Sequence, residues 1–100
     1  MKVRFAARAL ASIRYRHLWW RTHREKAPGL FGEELRASLE KLRSGVDAAR
    51  QRYSGQGAET VWRLLMPRTR HHLYYLRDEA SNVATVLLVA NASAETGPGL

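Results

Sequence analysis

The sequence predicts an α+β domain in the order β-α-α-β-β-β, with a helical hairpin packed on one face of a small, mainly antiparallel sheet. Apolar residues recur every three or four positions from residue 6 to residue 46, and every second position from residue 61 to residue 89. The chain has 100 residues, of which 45% are hydrophobic, and this suits a single core. We expect one domain over residues 1–90 and a mobile tail over residues 91–100.

The first half of the chain predicts a strand and two helices. Charged and apolar residues alternate over Lys2–Phe5, as in a short strand. A helix is expected from residue 6 to about residue 24, with its core side formed by Ala6, Ala9, Leu10, Ile13, His17 and Trp20. Pro28 interrupts the pattern, and a link of two or three residues should lead into the second helix. The apolar stripe of that helix is Phe31, Leu35, Leu39, Leu42 and Val46, and Gly45 marks its end.

The second half predicts three strands. Residues 47–59 are polar and contain two glycines, so we expect a loop there. The alternating patterns then predict strands over residues 61–66, 71–76 and 83–89, joined by turns. The last of these is apolar on both sides, which is typical of a strand in the interior of a sheet with both faces covered.

The composition favours a polyanionic partner. Lys and Arg together number 17 against nine Asp and Glu, for a net charge of +8, and most of the cations are arginines. The arginine fork recognises phosphate and carboxylate groups, so the partner is expected to be a nucleic acid or an acidic protein segment. Cysteine is absent, which excludes disulfides and thiolate metal sites. Arginines interrupt the apolar run near the N-terminus, so we expect a cytoplasmic protein with no export signal and no membrane partner.

Several local segments resemble one known family. In the first predicted helix they are Ala9-Leu10, Ile13 and Trp19-Trp20-Arg21, and in the second they are Phe31-Gly32-Glu33-Glu34-Leu35, Leu39 and Leu42. Residues 63–75 and the turn Asp78-Glu79-Ala80 complete the match, which covers roughly residues 1–90. Together they resemble the RelE/ParE toxins of type II toxin–antitoxin (plasmid stabilisation) systems. One departure follows the last strand: many relatives carry Trp-His followed closely by Arg, whereas residues 90–94 here read Ala-Asn-Ala-Ser-Ala.

The resemblance implies a toxin neutralised by a cognate antitoxin, whose acidic C-terminal segment would wrap it in a hetero-oligomer. It implies a ParE-like growth inhibitor of undefined target, which is DNA gyrase for ParE relatives. Two alternatives stay open: a RelE-like endoribonuclease that cuts messenger RNA on the ribosome, and a degenerate toxin that retains only antitoxin binding. The departure at residues 90–94 counts against RNA cleavage. The family resemblance implies no cofactor.

Strand parity groups the candidate catalytic residues on the sheet face away from the helices. Arg63, Arg70, His72 and Tyr74 should share that open face, with Arg68 at its rim. For RNA cleavage, His72 could act as acid or base, and Arg63 and Arg70 could stabilise charge on the phosphate. Tyr74 could stack on a base and Arg68 could contact RNA or another target. The alternative for His72 is a structural or surface histidine without a chemical role.

The remaining candidates concern metal and antitoxin. His71 is expected on the core side as a buried neutral histidine, and adjacent strand residues point to opposite faces. His71 and His72 therefore cannot easily share an ion, and no metal site is predicted. On the first helix, Arg14, Arg21 and Arg24 are the candidate antitoxin-binding residues, with a solvated basic face as the alternative.

Overall fold

A computed structural model describes residues 1–93 and 97–100. Two helices pack on one five-stranded mixed sheet, and this confirms the predicted α+β class and the β-α-α-β-β-β core. The elements are β1 (Lys2–Phe5), α1 (Ala7–His23), α2 (Leu30–Ser44), β2 (Gln51–Ser54), β3 (Val61–Met66), β4 (His71–Asp78) and β5 (Val83–Asn91). The strand order is β1-β5-β4-β3-β2; β1 runs parallel to β5 and every other neighbouring pair is antiparallel.

Helix α1 buries a narrower face than the sequence predicted. Ala9 and Trp20 are buried and Ile13 is half-buried, whereas Leu10 is 49% exposed. Consecutive helical residues lie about 100° apart around the axis, so a sheet-facing Ala9 turns Leu10 away from the sheet. The assignment of Leu10 to the core was therefore wrong.

The link between the helices is longer than expected, because α1 ends at His23 and α2 begins at Leu30. Six residues, 24–29, join them instead of two or three. The link folds back on α1, and the Trp20 indole Nε1 donates to the Ala27 carbonyl at 2.8 Å. Gly45 ends α2 in the left-handed conformation, at φ 71°, as predicted. Val46 lies beyond that turn and is 67% exposed, so its assignment to the apolar stripe was wrong.

The expected loop over residues 47–59 contains strand β2 and a short 3-10 turn (Gly57–Glu59). Strand β2 pairs with β3 at the edge of the sheet, with a bulge between Arg52 and Ser54. An edge strand is hydrogen-bonded on one side only and needs no continuous apolar face. The sequence pattern therefore gave no sign of it.

Asp47 anchors the chain between α2 and β2. Its carboxylate is 2% exposed and accepts a hydrogen bond from the Tyr75 hydroxyl at 2.6 Å. The guanidinium groups of Arg77 and Arg50 lie 3.4 and 3.7 Å from the same carboxylate. Burial and the adjacent carboxylate raise the pKa of Tyr75, so its hydroxyl stays protonated as a donor. This buried polar cluster fixes the start of the edge strand against β4.

The main core lies between the helices and the sheet, and its largest members include Phe31, Leu64, Met66, Leu73, Tyr75 and Val86. A smaller cluster of Val61, Tyr74 and Leu88 lies on the opposite, open face of the sheet. The predicted faces of the third and fourth strands are thus confirmed. Strand β5 is an interior strand with buried residues on both sides, as predicted. Within the described ranges, no helix combines the length and apolar character required to cross a membrane.

Candidate functional site

The open face brings together three of the predicted site residues, Arg63, His72 and Tyr74. Arg63 is paired with Tyr74 across β3 and β4, and Leu65 is paired with His72. Because side chains alternate along a strand, Arg63 and His72 are diagonal neighbours on one face. Burial and the charge of Arg63 lower the pKa of His72 below its ordinary value, so the ring is neutral at pH 7. A neutral imidazole beside a guanidinium can accept a proton near a bound anion; that chemical role stays a prediction.

The unpredicted strand β2 positions Arg63. The Arg63 Nε donates to the Gln51 side-chain oxygen at 3.2 Å. Its guanidinium carbon lies 5.6 Å from the centre of the Tyr53 ring, within cation–π range. Sequence reasoning missed both partners because it placed them in a loop.

The structure contradicts the proposed stacking role of Tyr74. Its side chain is only 2% exposed, and the Tyr53 ring packs edge-on against it at 4.8 Å between ring centres. Leu88 and Leu100 belong to the same apolar cluster. With its ring covered, Tyr74 has no free face for a nucleic-acid base.

The last residues of the chain lie against this face. The Tyr53 hydroxyl donates to the Pro98 carbonyl at 2.5 Å, and the Ser54 hydroxyl donates to the Leu100 carbonyl at 3.0 Å. Arg8 of α1 donates to the Gly99 carbonyl at 3.4 Å. The tail expected to be mobile thus has its residues 97–100 in contact with β2. Ala94, the last residue of the departure from the family pattern, lies outside the described residues, as do residues 95 and 96.

Arg70 is not where strand parity placed it. It occupies the turn before β4 in the left-handed conformation, at φ 62°, so strand alternation does not govern its side chain. Arg70 and Arg68 instead line a cavity beside α1, which we call the arginine pocket. Its principal lining residues are Arg16, Trp20, Arg24, Arg68, Arg70 and His71.

Glu34 holds the turn that carries these two arginines. Its buried carboxylate accepts the backbone N–H groups of Arg68 and Thr69 at 2.7 and 2.8 Å, and the Thr69 hydroxyl at 2.6 Å. The β3–β4 turn is thereby tied to α2. The sequence showed Glu34 only as a polar residue of the second helix, and nothing in its spacing revealed this contact.

The candidate antitoxin residues fall in two places. Arg14 and Arg21 are exposed on the side of α1 that faces away from the sheet, together with Leu10 and Leu18, which are 49% and 63% exposed. These four residues, spaced by 4, 4 and 3 positions, form what we call the α1 outer face. Arg24 follows the helix, and its guanidinium carbon lies 5.2 Å from the Trp19 ring and 5.5 Å from the Trp20 ring.

The geometry thus defines a class: a small basic α+β domain whose two helices cover one face of a mixed sheet. No family model matches the chain, and no curated protein matches its sequence. Among solved structures, it is similar to the isolated RelE toxin of E. coli, with a TM-score of 0.55 and 19% identity, covering 94% of this chain and 86% of that one. It is also similar to a chain of the intact E. coli RelBE toxin–antitoxin complex, with a TM-score of 0.54 and 19% identity, covering 93% of this chain and 98% of that one. The chain has a RelE-like fold.

Proposed function

We propose that this chain is the toxin component of a bacterial type II toxin–antitoxin system and is neutralised by a cognate antitoxin. The observation that carries the proposal is the likeness, over nearly the whole chain, to an isolated toxin and to one chain of a toxin–antitoxin complex. The family resemblance of the sequence, which rests on local segments instead of backbone shape, agrees with it.

The α1 outer face supports the antitoxin partner. Leu10 and Leu18 expose apolar side chains to water on one side of α1, and burying them against a partner would be favourable. Arg14 and Arg21 alternate with them along the same side. An acidic, amphipathic segment would bury the two leucines and pair with the two arginines, and the net charge of +8 favours its approach.

The test is co-expression with the product of the adjacent gene. We expect the chain alone to arrest growth and the adjacent product to restore it through a complex that can be purified. Leu18→Glu combined with Arg21→Glu should weaken that complex by at least about tenfold, since both apolar and ionic contacts are lost. Arg36→Glu, on the exposed side of α2, is the matched control and should bind normally. An unchanged affinity of the double variant would exclude the α1 outer face as the binding surface.

For the toxic activity, we propose ParE-like growth inhibition by binding, with a target that the family relationship alone leaves open; in ParE relatives it is DNA gyrase. This proposal is supported by the small number of the predicted catalytic residues that lie accessible on the open face. Of the four residues predicted for the open face, Arg63 and His72 lie there with accessible polar groups, whereas Tyr74 is buried and Arg70 lies in the arginine pocket. The family's Trp-His and Arg after the last strand are absent from residues 90–93.

The second candidate is RNA cleavage, and the pairing of neutral His72 with Arg63 is the observation that favours it. His72→Gln and Arg63→Gln separate the candidates. If growth arrest and transcript cleavage both disappear in each variant, the chain is a ribonuclease. If arrest persists in both variants without transcript cleavage, inhibition by binding is supported. Antitoxin binding without any arrest by the unaltered chain would identify a degenerate toxin.

A further inference from the structure

The arginine pocket is separate from the open face and from the α1 outer face. It has a volume of about 320 Å³ and lies between the C-terminal half of α1, the β3–β4 turn and the end of β5. The proposed toxin activity assigns no role to it. Within residues 1–93 and 97–100, its features are a group of arginines without ion pairs, a buried histidine whose ring nitrogens have no hydrogen-bond partner, and a left-handed backbone at Arg70.

Four arginines, Arg16, Arg24, Arg68 and Arg70, line the pocket; Arg16 is half-buried and the other three are exposed. Over residues 1–93 and 97–100, ion pairs form at Arg43, Arg50 and Arg77, but at none of these four. Glu34, the acid beside the turn, is already occupied by two backbone N–H groups and a hydroxyl. Like charges gathered in a partly enclosed space repel one another, and a bound anion would relieve that repulsion.

His71 forms part of the same wall and is only 3% exposed. Neither ring nitrogen has a hydrogen-bond partner in the described part of the chain, although the Thr69 backbone lies nearby. The Phe31 ring packs edge-on against His71 at 5.0 Å between ring centres, and the Trp20 ring does so at 6.4 Å. The His71 ring is therefore a buried titratable group directly beside the pocket, and it can report on charge that enters the pocket.

Arg70 reaches the pocket through an unfavourable conformation. A residue with a β-carbon rarely adopts φ 62°, and glycine would be the unstrained choice in this turn. Two backbone hydrogen bonds hold it there: the Arg70 N–H donates to Met66 at 2.9 Å, and its carbonyl accepts from Ala92 at 2.8 Å. This turn geometry places Arg70 beside Arg68 at the pocket.

We propose that the arginine pocket binds a dianionic phosphate group, held by Arg16, Arg68 and Arg70 beside the buried His71 ring. Arginine forks match phosphate oxygens in pairs, and one phosphate offers enough acceptors for several forks at once. A single carboxylate would leave most of the four charges uncompensated. The pocket volume exceeds that of a lone phosphate, so a larger molecule that carries a phosphate also fits. The source of the phosphate group is therefore either inorganic phosphate or the terminal phosphate of a mononucleotide.

The test uses the purified chain at about physiological ionic strength, with inorganic phosphate and adenosine 5′-monophosphate as separate probes in calorimetric titrations. We expect Arg16→Gln and Arg70→Gln each to weaken binding by about tenfold or more. Arg36→Gln, an exposed arginine on α2, should bind like the unaltered chain. Tighter binding of the nucleotide identifies it as the source, and equal binding identifies free phosphate. Binding of neither probe, or equal weakening by Arg36→Gln, overturns the proposal.

A second readout reports on the site directly. The resonances of the His71 imidazole, followed by NMR while the pH is lowered, should titrate at a higher pH with phosphate bound than without it. The charges that bear on this ring are Arg16 and Glu34, which stay in place in both samples. An unchanged titration of His71 would show that phosphate binds elsewhere. Neither measurement depends on toxicity or on an antitoxin, so the proposal can fail while the proposed function stands.

Discussion

At the residue scale, His71 and His72 show how one step along a strand changes a side chain's environment. His71 points into the core between Phe31 and Trp20, whereas His72 lies half-buried on the open face near Arg63. Burial, reinforced by the charge of Arg16, lowers the pKa of His71 from 6.5 to about 4. Its prediction as a buried neutral histidine on the core side is confirmed in location.

The lowered pKa predicts acid sensitivity. Between pH 6.5 and about 4, the unfolded chain binds a proton at residue 71 that the folded chain does not. The free energy of unfolding should therefore fall as the pH falls through this window, by up to about 3 kcal/mol from this residue. Urea denaturation at several pH values should show a smaller decline for His71→Leu than for the unaltered chain.

His23→Gln is the control for this experiment, because it removes an exposed histidine at the end of α1. The decline of its stability with falling pH should run parallel to that of the unaltered chain. Equal pH dependence of His71→Leu and the unaltered chain would contradict the assignment of acid sensitivity to the buried ring.

At the element scale, two buried carboxylates connect elements that are distant in sequence. Asp47 joins the segment after α2 to Tyr75 and Arg77 of β4, and Glu34 joins α2 to the turn between β3 and β4. Each carboxylate accepts hydrogen bonds from buried donors that would otherwise have no partner. They fix the position of the edge strand and of the arginine pocket, respectively.

We expect Glu34→Gln to lower the free energy of unfolding by about 1–3 kcal/mol. The amide has a single acceptor oxygen for donors that now bind two, and its NH₂ group faces other N–H groups. Chemical denaturation measures the loss. Glu33→Gln, at the neighbouring exposed position, should change stability by less than about 0.5 kcal/mol. Similar losses in the two variants would show that the contact with the turn contributes nothing specific.

At the scale of the whole molecule, the last residues of the chain contact both α1 and the edge strand β2. Arg8 near the start of α1 contacts Gly99, and Ser54 of the edge strand contacts Leu100. The tail covers the small cluster of Val61, Tyr74 and Leu88 and closes part of the open face.

Deleting residues 97–100 should therefore lower the free energy of unfolding by about 1–2 kcal/mol, because three hydrogen bonds and the apolar cover from Leu100 are lost. Thermal and urea denaturation measure the change. Deletion of Leu100 alone should have a smaller effect. A mobile tail, as the sequence suggested, predicts no change in either variant, and that result would contradict the contacts of residues 97–100.

The sequence alone determined the class of fold, both helices, four of the five strands and the core side of β3 and β4. These features follow from local periodicity, as in the alternation that separates Leu64 from Arg63. It also located His71 in the core and placed Arg63 and His72 on one face, because strand parity depends only on counting residues.

Only the tertiary structure decided which polar segments and turns join the fold. Strand β2 is specified by pairing with β3 and by the Asp47 cluster, neither of which leaves a local apolar pattern. Arg70 does not lie in the predicted site because a left-handed turn ends the strand alternation before it. Leu10 does not lie in the core because the orientation of α1 depends on the residues against which it packs. Periodicity identifies an element and its faces, whereas contacts between distant residues decide how those faces meet.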